Sequence, residues 1–285
     1  MDEKVRLGFV GAGFVGGAMI RGFSGYFPME VYDKGKGIGS LRAVVERSDV
    51  IFVAVPTPMR ATGECDTRIV MEVVEEINHA VKVLDRTNDK IEVVIRSTVP
   101  PNFLIELWTI CAHIKLLYMP EFLTERTADL DFINAPRFVI GSYSPEDHEE
   151  WMNLVAALRE RFPRTRITTM SYQEASLVKY GTNTFFSVKL SFFNELYRVA
   201  EKLGADPNVV IQEILQDGRI GRSHFQVPGH DGDFGWGGHC FPKDNRAYAV
   251  IAGDDSLMVD AAWEVNNKVR ENRNWERDRR AVSDD

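Results

Sequence analysis

The sequence predicts an α/β chain in two parts: a doubly wound parallel sheet over residues 1–170, then an all-helical domain over residues 171–285 built on one long central helix. Three observations predict it. A glycine-rich turn, Gly11-Ala12-Gly13-Phe14-Val15-Gly16, follows a short apolar run. Short apolar runs then alternate with helix-like stretches as far as residue 170, the pattern of strands buried on both faces between crossover helices. From residue 171 until Gly204 no proline and no glycine but Gly181 interrupts the chain, as a single helix requires.

Taken in order, residues 5–10 read as the first strand, the glycine turn ends it, and the segment up to Phe23 reads as the first helix. Residues 29–32 form a second strand ending at Asp33, and residues 49–55 a third, apolar almost throughout. Further strands are expected at 91–95, 115–118, 137–141 and 166–169, with helices such as 67–84 and 145–162 between them. Ser171-Tyr172-Gln173-Glu174 has the spacing of a capping box, and Gly204 suits the position that closes a helix. Such a helix spans roughly 45–50 Å. Its apolar residues, among them Phe185, Phe186, Phe192, Phe193 and Val199, ring most of its circumference. Burying them is expected to need a second copy, a homodimer through the 171–204 helix. A second helical stretch, a loop around Cys240 and an amphipathic run from Asp260 follow, and the charge-dense end, 270–285, reads as solvated and frayed.

With 285 residues and 44% hydrophobic content, the chain can bury a sizeable core. No apolar run approaches the roughly 20 residues that span a bilayer, and the first residues lead into a strand rather than a signal peptide, so a cytoplasmic protein is expected. Cys65, Cys111 and Cys240 are too scattered for a disulfide framework and lack zinc spacing; no metal is expected. A formal charge of −8 argues against a nucleic-acid surface.

The glycine pattern after a strand and before a helix, with Asp33 closing the next strand, is the Rossmann-like dinucleotide fingerprint. Glycines let a pyrophosphate approach the helix N-terminus, and the carboxylate accepts from the adenosine ribose while repelling a 2′-phosphate. NAD is therefore the expected cofactor, a preference that Lys34 and Lys36 weaken slightly. Pro56-Thr57-Pro58, Ser97-Thr98 and Pro120-Glu121-Phe122-Leu123-Thr124-Glu125 sit at later strand ends, where open parallel sheets bind ligands. Lys179 and Asn183 share one face of the long helix in an otherwise apolar stretch. In Gly235-Trp236-Gly237-Gly238-His239-Cys240-Phe241-Pro242-Lys243-Asp244 a cysteine lies among glycines and ionisable groups, where Lys243 and the peptide dipoles favour the thiolate, the attacking form of sulfur.

Together these residues resemble the UDP-glucose/GDP-mannose dehydrogenase family, whose members oxidise a sugar C6 alcohol to a carboxylate with two NAD. The likeness also takes in Gly63 and Asp66, Asp131 with 136–141, Glu174-Ala175, Phe193-Asn194-Glu195 and Arg219-Ile220-Gly221. It implies that Cys240 attacks the C6 aldehyde to give a thiohemiacetal and then a thioester, while Lys179 and Asn183 polarise the C6 oxygen. Asp244 and Thr98 would orient water, and Glu121 and Glu125 would line the active site and cofactor. Gly11, Gly13, Phe14, Val15, Gly16, Asp33, Pro56, Thr57, Thr98, Glu125 and Lys243 would hold NAD. Glu121, Phe122, Leu123, Lys179, Asn183, Gly237 and Cys240 would hold the nucleotide sugar, UDP-glucose first among candidates, with Arg219 reaching it across the dimer. The sequence departs from the family in a short connection between Asp33 and Asp49 and in Arg126, where glycine is common. The chain also ends where members continue into a second Rossmann-like domain, so a C-terminal nucleotide-binding domain is expected to be absent. Two other readings stay open: a dimer that binds NAD without turnover, and a two-electron 3-hydroxyacid-type dehydrogenase with no need of Cys240.

Overall fold

Among the described residues seven short strands carry the first part of the chain: β1 (Leu7–Val10), β2 (Met29–Tyr32), β3 (Val50–Val53), β4 (Glu92–Ile95), β5 (Lys115–Tyr118), β6 (Arg137–Ser142) and β7 (Arg166–Ser171). The structure is a computed structural model that describes residues 4–89, 91–146, 151–278 and 281–283. The strands form one sheet in the order β2-β1-β3-β4-β5-β6-β7. Pairing is parallel from β2 to β5; β6 meets β5 antiparallel at Tyr118 and Gly141, and β7 runs parallel to β6. In β1, β3 and β4 every residue is buried, as strands covered by helices on both faces must be.

The helices are α1 (Phe14–Phe23), α2 (Leu41–Arg47), α3 (Arg68–Val83), α4 (Pro101–Ile110), α5 (Ala128–Ile133), α6 (Met152–Arg161), α7 (Tyr172–Lys202), α8 (Pro207–Ile214), α9 (Cys240–Ala252) and α10 (Leu257–Val269). Local chemistry starts several of them. Ser40 accepts from Ala43 N at 3.2 Å to cap α2, and Pro101 opens α4 where a missing N–H is tolerated. Before α7, Ser171 N donates to Glu174 Oε2 at 2.8 Å and Glu174 N to Ser171 Oγ at 3.3 Å, the reciprocal bonds of a capping box. The helix expected over 145–162 begins at Met152; residues 147–150 lie outside the described ones.

Two compact units divide the chain, one of Met1–Thr57 with Thr67–Lys179, the other of Pro58–Asp66 with Tyr180–Asp285. The sheet unit has a core on each face. On one, Phe23 sits among Phe9, Phe52, Phe132 and Phe162 with ring centroids 5.4–6.4 Å away. Full burial of such a side chain stabilises the fold by about 1.5–3 kcal/mol. On the other, Val44, Val74, Val93 and Leu104 pack together. Glu92, 1% exposed, begins β4 and accepts from Asn153 N at 2.9 Å and Leu154 N at 2.7 Å, closing the first turn of α6.

In the helical unit Phe193, Ile211, Leu215 and Val227 form the core. Its C-terminal end corrects the expectation of a frayed tail. Arg270 is buried and paired with Asp231 at 2.5 Å and Asp233 at 3.4 Å, Trp275 is buried with its ring 6.4 Å from Trp263, and Met59 N donates to Ala281 O at 2.7 Å. The charge density of the run hid a tryptophan that drives burial and an arginine with two carboxylates to neutralise it. Residues 279, 280, 284 and 285 of that run lie outside the described ones. Among the described residues no helix is long and apolar enough to cross a membrane.

Candidate active site

The glycine turn joins β1 to α1. At Gly11 φ is +92° and a Cβ would stand 2.3 Å from Ala54 O; at Gly16 it would stand 2.0 Å from Gly11 O. Only glycine fits either place. At Gly13 nothing among the described residues lies within 4 Å of a Cβ, which leaves the N-terminus of α1 open to a dinucleotide. Phe14 and Val15 follow as its first helical residues. Asp33, at the end of β2, accepts from Ala12 N at 2.8 Å and Lys36 N at 2.9 Å, and Lys36 Nζ donates to Ala12 O at 2.6 Å. The carboxylate expected to meet the ribose thus also braces the turn. Donor set and open cradle fit a dinucleotide.

Further strand ends supply the rest of this unit's polar groups. Pro56 and Thr57 follow β3, and Thr57 is buried. After β4, Ser97 Oγ donates to Val55 O at 2.7 Å and accepts from Val55 N at 3.0 Å, fixing the loop that carries buried Thr98. Arg96, 2% exposed, donates to Met119 O and, at 3.1 Å, to Pro120 O, and burial lowers its guanidinium to about 10. The chain it holds carries Glu121, whose Oε1 meets Lys179 Nζ at 2.7 Å and whose Oε2 accepts from Leu123 N at 2.6 Å. Lys179 Nζ also lies 5.9 Å from the centre of the Phe122 ring. Glu125, exposed, opens a short 3₁₀ turn further on.

In the helical unit Cys240 is the first residue of α9, where peptide dipoles favour an anion. Next to it Asp244, 1% exposed, has both oxygens engaged: Oδ2 accepts from Asn183 Nδ2 at 2.6 Å and Oδ1 from Lys243 Nζ at 2.5 Å. Burial opposes the charge on Lys243, but Asp244 and the sulfurs of Cys65 and Cys240 outweigh it and raise the ammonium above the ordinary lysine range. Lys243, expected to face the cofactor, is engaged within this group. Arg219 stands apart, its side chain 89% exposed and paired with Asp217 at 2.5 Å.

The loop before Cys240 rests on residues that the sequence did not single out as site residues. Asn266 Oδ1 accepts from Trp236 N at 2.7 Å and its Nδ2 donates to Trp236 O at 3.0 Å. Asn194 Oδ1 accepts from Gly235 N at 2.7 Å, and Trp236 Nε1 donates to Ser191 Oγ at 2.9 Å. A Cβ on Gly237 would stand 2.8 Å from Arg270 Nη2, so this glycine admits the guanidinium. The signal available was polar residues on apolar helices, Asn194 in α7 and Asn266 in α10, both wholly buried.

Two models of one family match in chain order: the NAD binding domain of the UDP-glucose/GDP-mannose dehydrogenase family over residues 36–159 and its central domain over residues 173–268. The first begins beyond Asp33, so the glycine turn stands on its own geometry. UDP-glucose 6-dehydrogenase TuaD of Bacillus subtilis is 32% identical over 238 residues, 80% of this chain and 48% of its own length. UDP-glucose 6-dehydrogenase AglM of Haloferax volcanii is 30% identical over 233 residues, 77% of this chain and 52% of its own. The chain spans about half the length of these curated relatives. Among solved structures, a UDP-glucose dehydrogenase from Pyrobaculum islandicum aligns with a TM-score of 0.78 at 26% identity, over 93% of this chain and 68% of that one. A Mycobacterium tuberculosis 3-hydroxyisobutyrate dehydrogenase aligns with a TM-score of 0.67 at 15% identity, over 93% of this chain and 94% of that one, a likeness of fold alone.

Proposed function

Because the chain belongs to the UDP-glucose/GDP-mannose dehydrogenase family, we propose that it oxidises the C6 alcohol of a nucleotide sugar, UDP-glucose first among them, to the carboxylate. The observation that carries this is the run Asn183–Asp244–Lys243 beside Cys240: a buried carboxylate holding one amide and one ammonium, with a lone pair left on each oxygen, next to a thiol at a helix N-terminus. NAD, when bound at the Gly11–Gly16 turn, supplies the hydride acceptor for each of two oxidations. Asp33 and the glycines hold it, with Pro56, Thr57, Thr98, Glu125 and Lys243 proposed to complete the cofactor contacts.

Lys179 and Asn183, one turn apart on α7, place a cation and a donor where negative charge develops on the C6 oxygen. After the first oxidation the Cys240 thiolate adds to the aldehyde carbon, and the oxygen takes a proton to give the thiohemiacetal. The second oxidation leaves a thioester. Water, oriented by Thr98 and Asp244, adds to its carbon and expels the thiolate, releasing the acid. Asp244 does so while holding Asn183 and Lys243 in place. Glu121 keeps Lys179 oriented, and Phe122, Leu123 and Gly237 shape the sugar's surroundings. Each acid formed therefore consumes two NAD and one water.

A second copy is part of this reading. On α7, Phe185, Phe192 and Val199 recur every seven residues and remain 62%, 57% and 46% exposed, an apolar row suited to a homodimer through the 171–204 helix. The exposed Arg219 would then reach the neighbour's substrate. We place the enzyme in the cytoplasm.

Incubation with NAD and UDP-glucose tests the reaction: two NADH should form per acid, and Cys240→Ser should stall after the first oxidation. Absence of NADH with every UDP- or GDP-sugar would leave a dimer that only binds NAD. Unimpaired turnover in Cys240→Ser would point to a two-electron 3-hydroxyacid-type dehydrogenase.

A further inference from the structure

A second thiol stands near the proposed nucleophile. The segment Pro58–Asp66 leaves the sheet unit and closes a small hairpin in the helical one. Met59 bridges Cys65 in antiparallel sense, Asp66 N donates to Pro58 O at 2.7 Å, and Arg60 N donates to Glu64 O at 2.8 Å. The hairpin lies on α9. A Cβ at Gly63 would stand 3.4 Å from Arg246 Cβ and 3.7 Å from Val250 Cγ2, residues one turn apart on that helix. One turn before Arg246 is Lys243, and one turn before Lys243 is Cys240. The hairpin therefore follows the same stripe of α9 that carries the ammonium and the thiol.

After Asp244, the charges that most favour the Lys243 ammonium are the sulfurs of Cys65 and Cys240, so one partly buried ammonium serves two thiols. Both cysteines are partly exposed, within reach of a small oxidant. Cys111 differs: it lies in the sheet unit, and burial, helped by Glu75, pushes its thiol up to about 12. None of the three is in a disulfide.

We propose that Cys65 and Cys240 form an oxidisable dithiol pair on Lys243, with hydrogen peroxide or a related hydroperoxide as oxidant and Cys65 as the resolving thiol. The Cys240 thiolate attacks one peroxide oxygen; a sulfur–oxygen bond forms, the oxygen–oxygen bond breaks and hydroxide leaves. The Cys65 sulfur then attacks the sulfenic sulfur, forming the disulfide as the hydroxyl departs with the Cys65 proton as water. Two electrons pass from the two thiols to one peroxide. Turnover stops while the bond stands, and a dithiol reductant restores it. By trapping the sulfenic acid, Cys65 keeps Cys240 from the irreversible sulfinic state. As regulation of the active site this rests on Cys240 being the nucleophile; the bond itself does not.

The test oxidises the full chain with a slight excess of hydrogen peroxide, alkylates the remaining thiols and maps peptides by mass. The expected result is a mass lower by about 2 Da before alkylation, a linked peptide pair holding Cys65 and Cys240, an alkylated Cys111, and reversal by dithiothreitol. In Cys65→Ser, or Cys65→Ala should the serine variant not fold, Cys240 should instead gain oxygen and resist reversal. Wild-type Cys240 carrying sulfinic acid beside an alkylated Cys65, or both cysteines alkylated after peroxide, would overturn the proposal. Because the readout is mass, a protein inactive on every nucleotide sugar would refute the proposed function while the linked peptide pair, present or missing, still decided between the two states of the thiols.

Discussion

Lys179 and Glu121 meet at 2.7 Å with side chains 3% and 5% exposed, an ion pair removed almost wholly from water. Two desolvated charges held together resist the loss of either partner, since the survivor is left buried and uncompensated.

Glu121→Ala should therefore destabilise the protein by about 3–5 kcal/mol, more than removal of an exposed pair would. Chemical denaturation reads the difference. Lys179→Met, an apolar side chain of similar length, should abolish NADH formation while still binding NAD; turnover near wild type would exclude Lys179 from the chemistry.

Asn266→Ala leaves Trp236 N and Trp236 O without partners beneath the Cys240 loop. A stability loss of about 2–4 kcal/mol is expected, together with slower alkylation of Cys240 by iodoacetamide than in wild type. Asn266→Asp keeps the acceptor for Trp236 N and loses the donor to Trp236 O, so its stability should fall between the two.

Gly13→Ala separates folding from cofactor binding. Its Cβ meets nothing within 4 Å among the described residues, so the melting temperature without ligand should match wild type, while the rise produced by NAD should shrink. Gly16→Ala, with its Cβ 2.0 Å from Gly11 O, should lower the melting temperature outright.

How much of this was legible depended on sequence distance. The Ser171–Glu174 capping box and the Gly11–Gly16 turn are local devices whose partners lie within a few residues, and both appear in the structure. The alternation of apolar runs located all seven strands to within a residue or two. Asn266 under Trp236 and Arg270 between Asp231 and Asp233 join residues 30–39 positions apart, and no period or spacing announces such pairs. Asp33 was legible as an acidic strand end; its second task, bracing Ala12 and Lys36, depends on a turn whose shape local sequence does not fix. At the end of the chain the dense charge masks the burial of Trp275, which packs against Trp263 from a position no local pattern marks.

Glu92 predicts a pH dependence. Burial pushes its carboxyl up to about 7 against the amides of Asn153 and Leu154 and against Lys115, which favour the charge, while Asp49 adds to the rise. A carboxyl that binds its proton more tightly when folded stabilises the protein below its unfolded value near 4.5, and that contribution is lost as pH rises through about 7. On the order of 3 kcal/mol should disappear between pH 4.5 and 7. Unfolding free energies of wild type and Glu92→Gln at pH 5 and pH 8 measure it: the gap between the two proteins should shift toward the variant at pH 8, and a pH-independent gap would remove Glu92 from the account.

The row on α7 makes a further prediction. Phe192→Asp should halve the mass seen by light scattering at micromolar concentration if Phe185, Phe192 and Val199 join two copies. A wild-type protein that scatters as a monomer would discard the interface.

The Pro58–Asp66 hairpin has a consequence for how the protein is made. Met59 donates to Ala281 O and accepts from Ser283 N, so a residue translated early waits for partners translated much later. At about 5–20 residues per second, roughly 10–45 seconds separate the polymerisation of Met59 from that of Ala281. Residues Thr67–Lys179 can collapse meanwhile around strands already emerged. The helical unit has no such head start: its edge is complete only once Ser283 has left the ribosome, and a fragment begun at Tyr180 would never receive it.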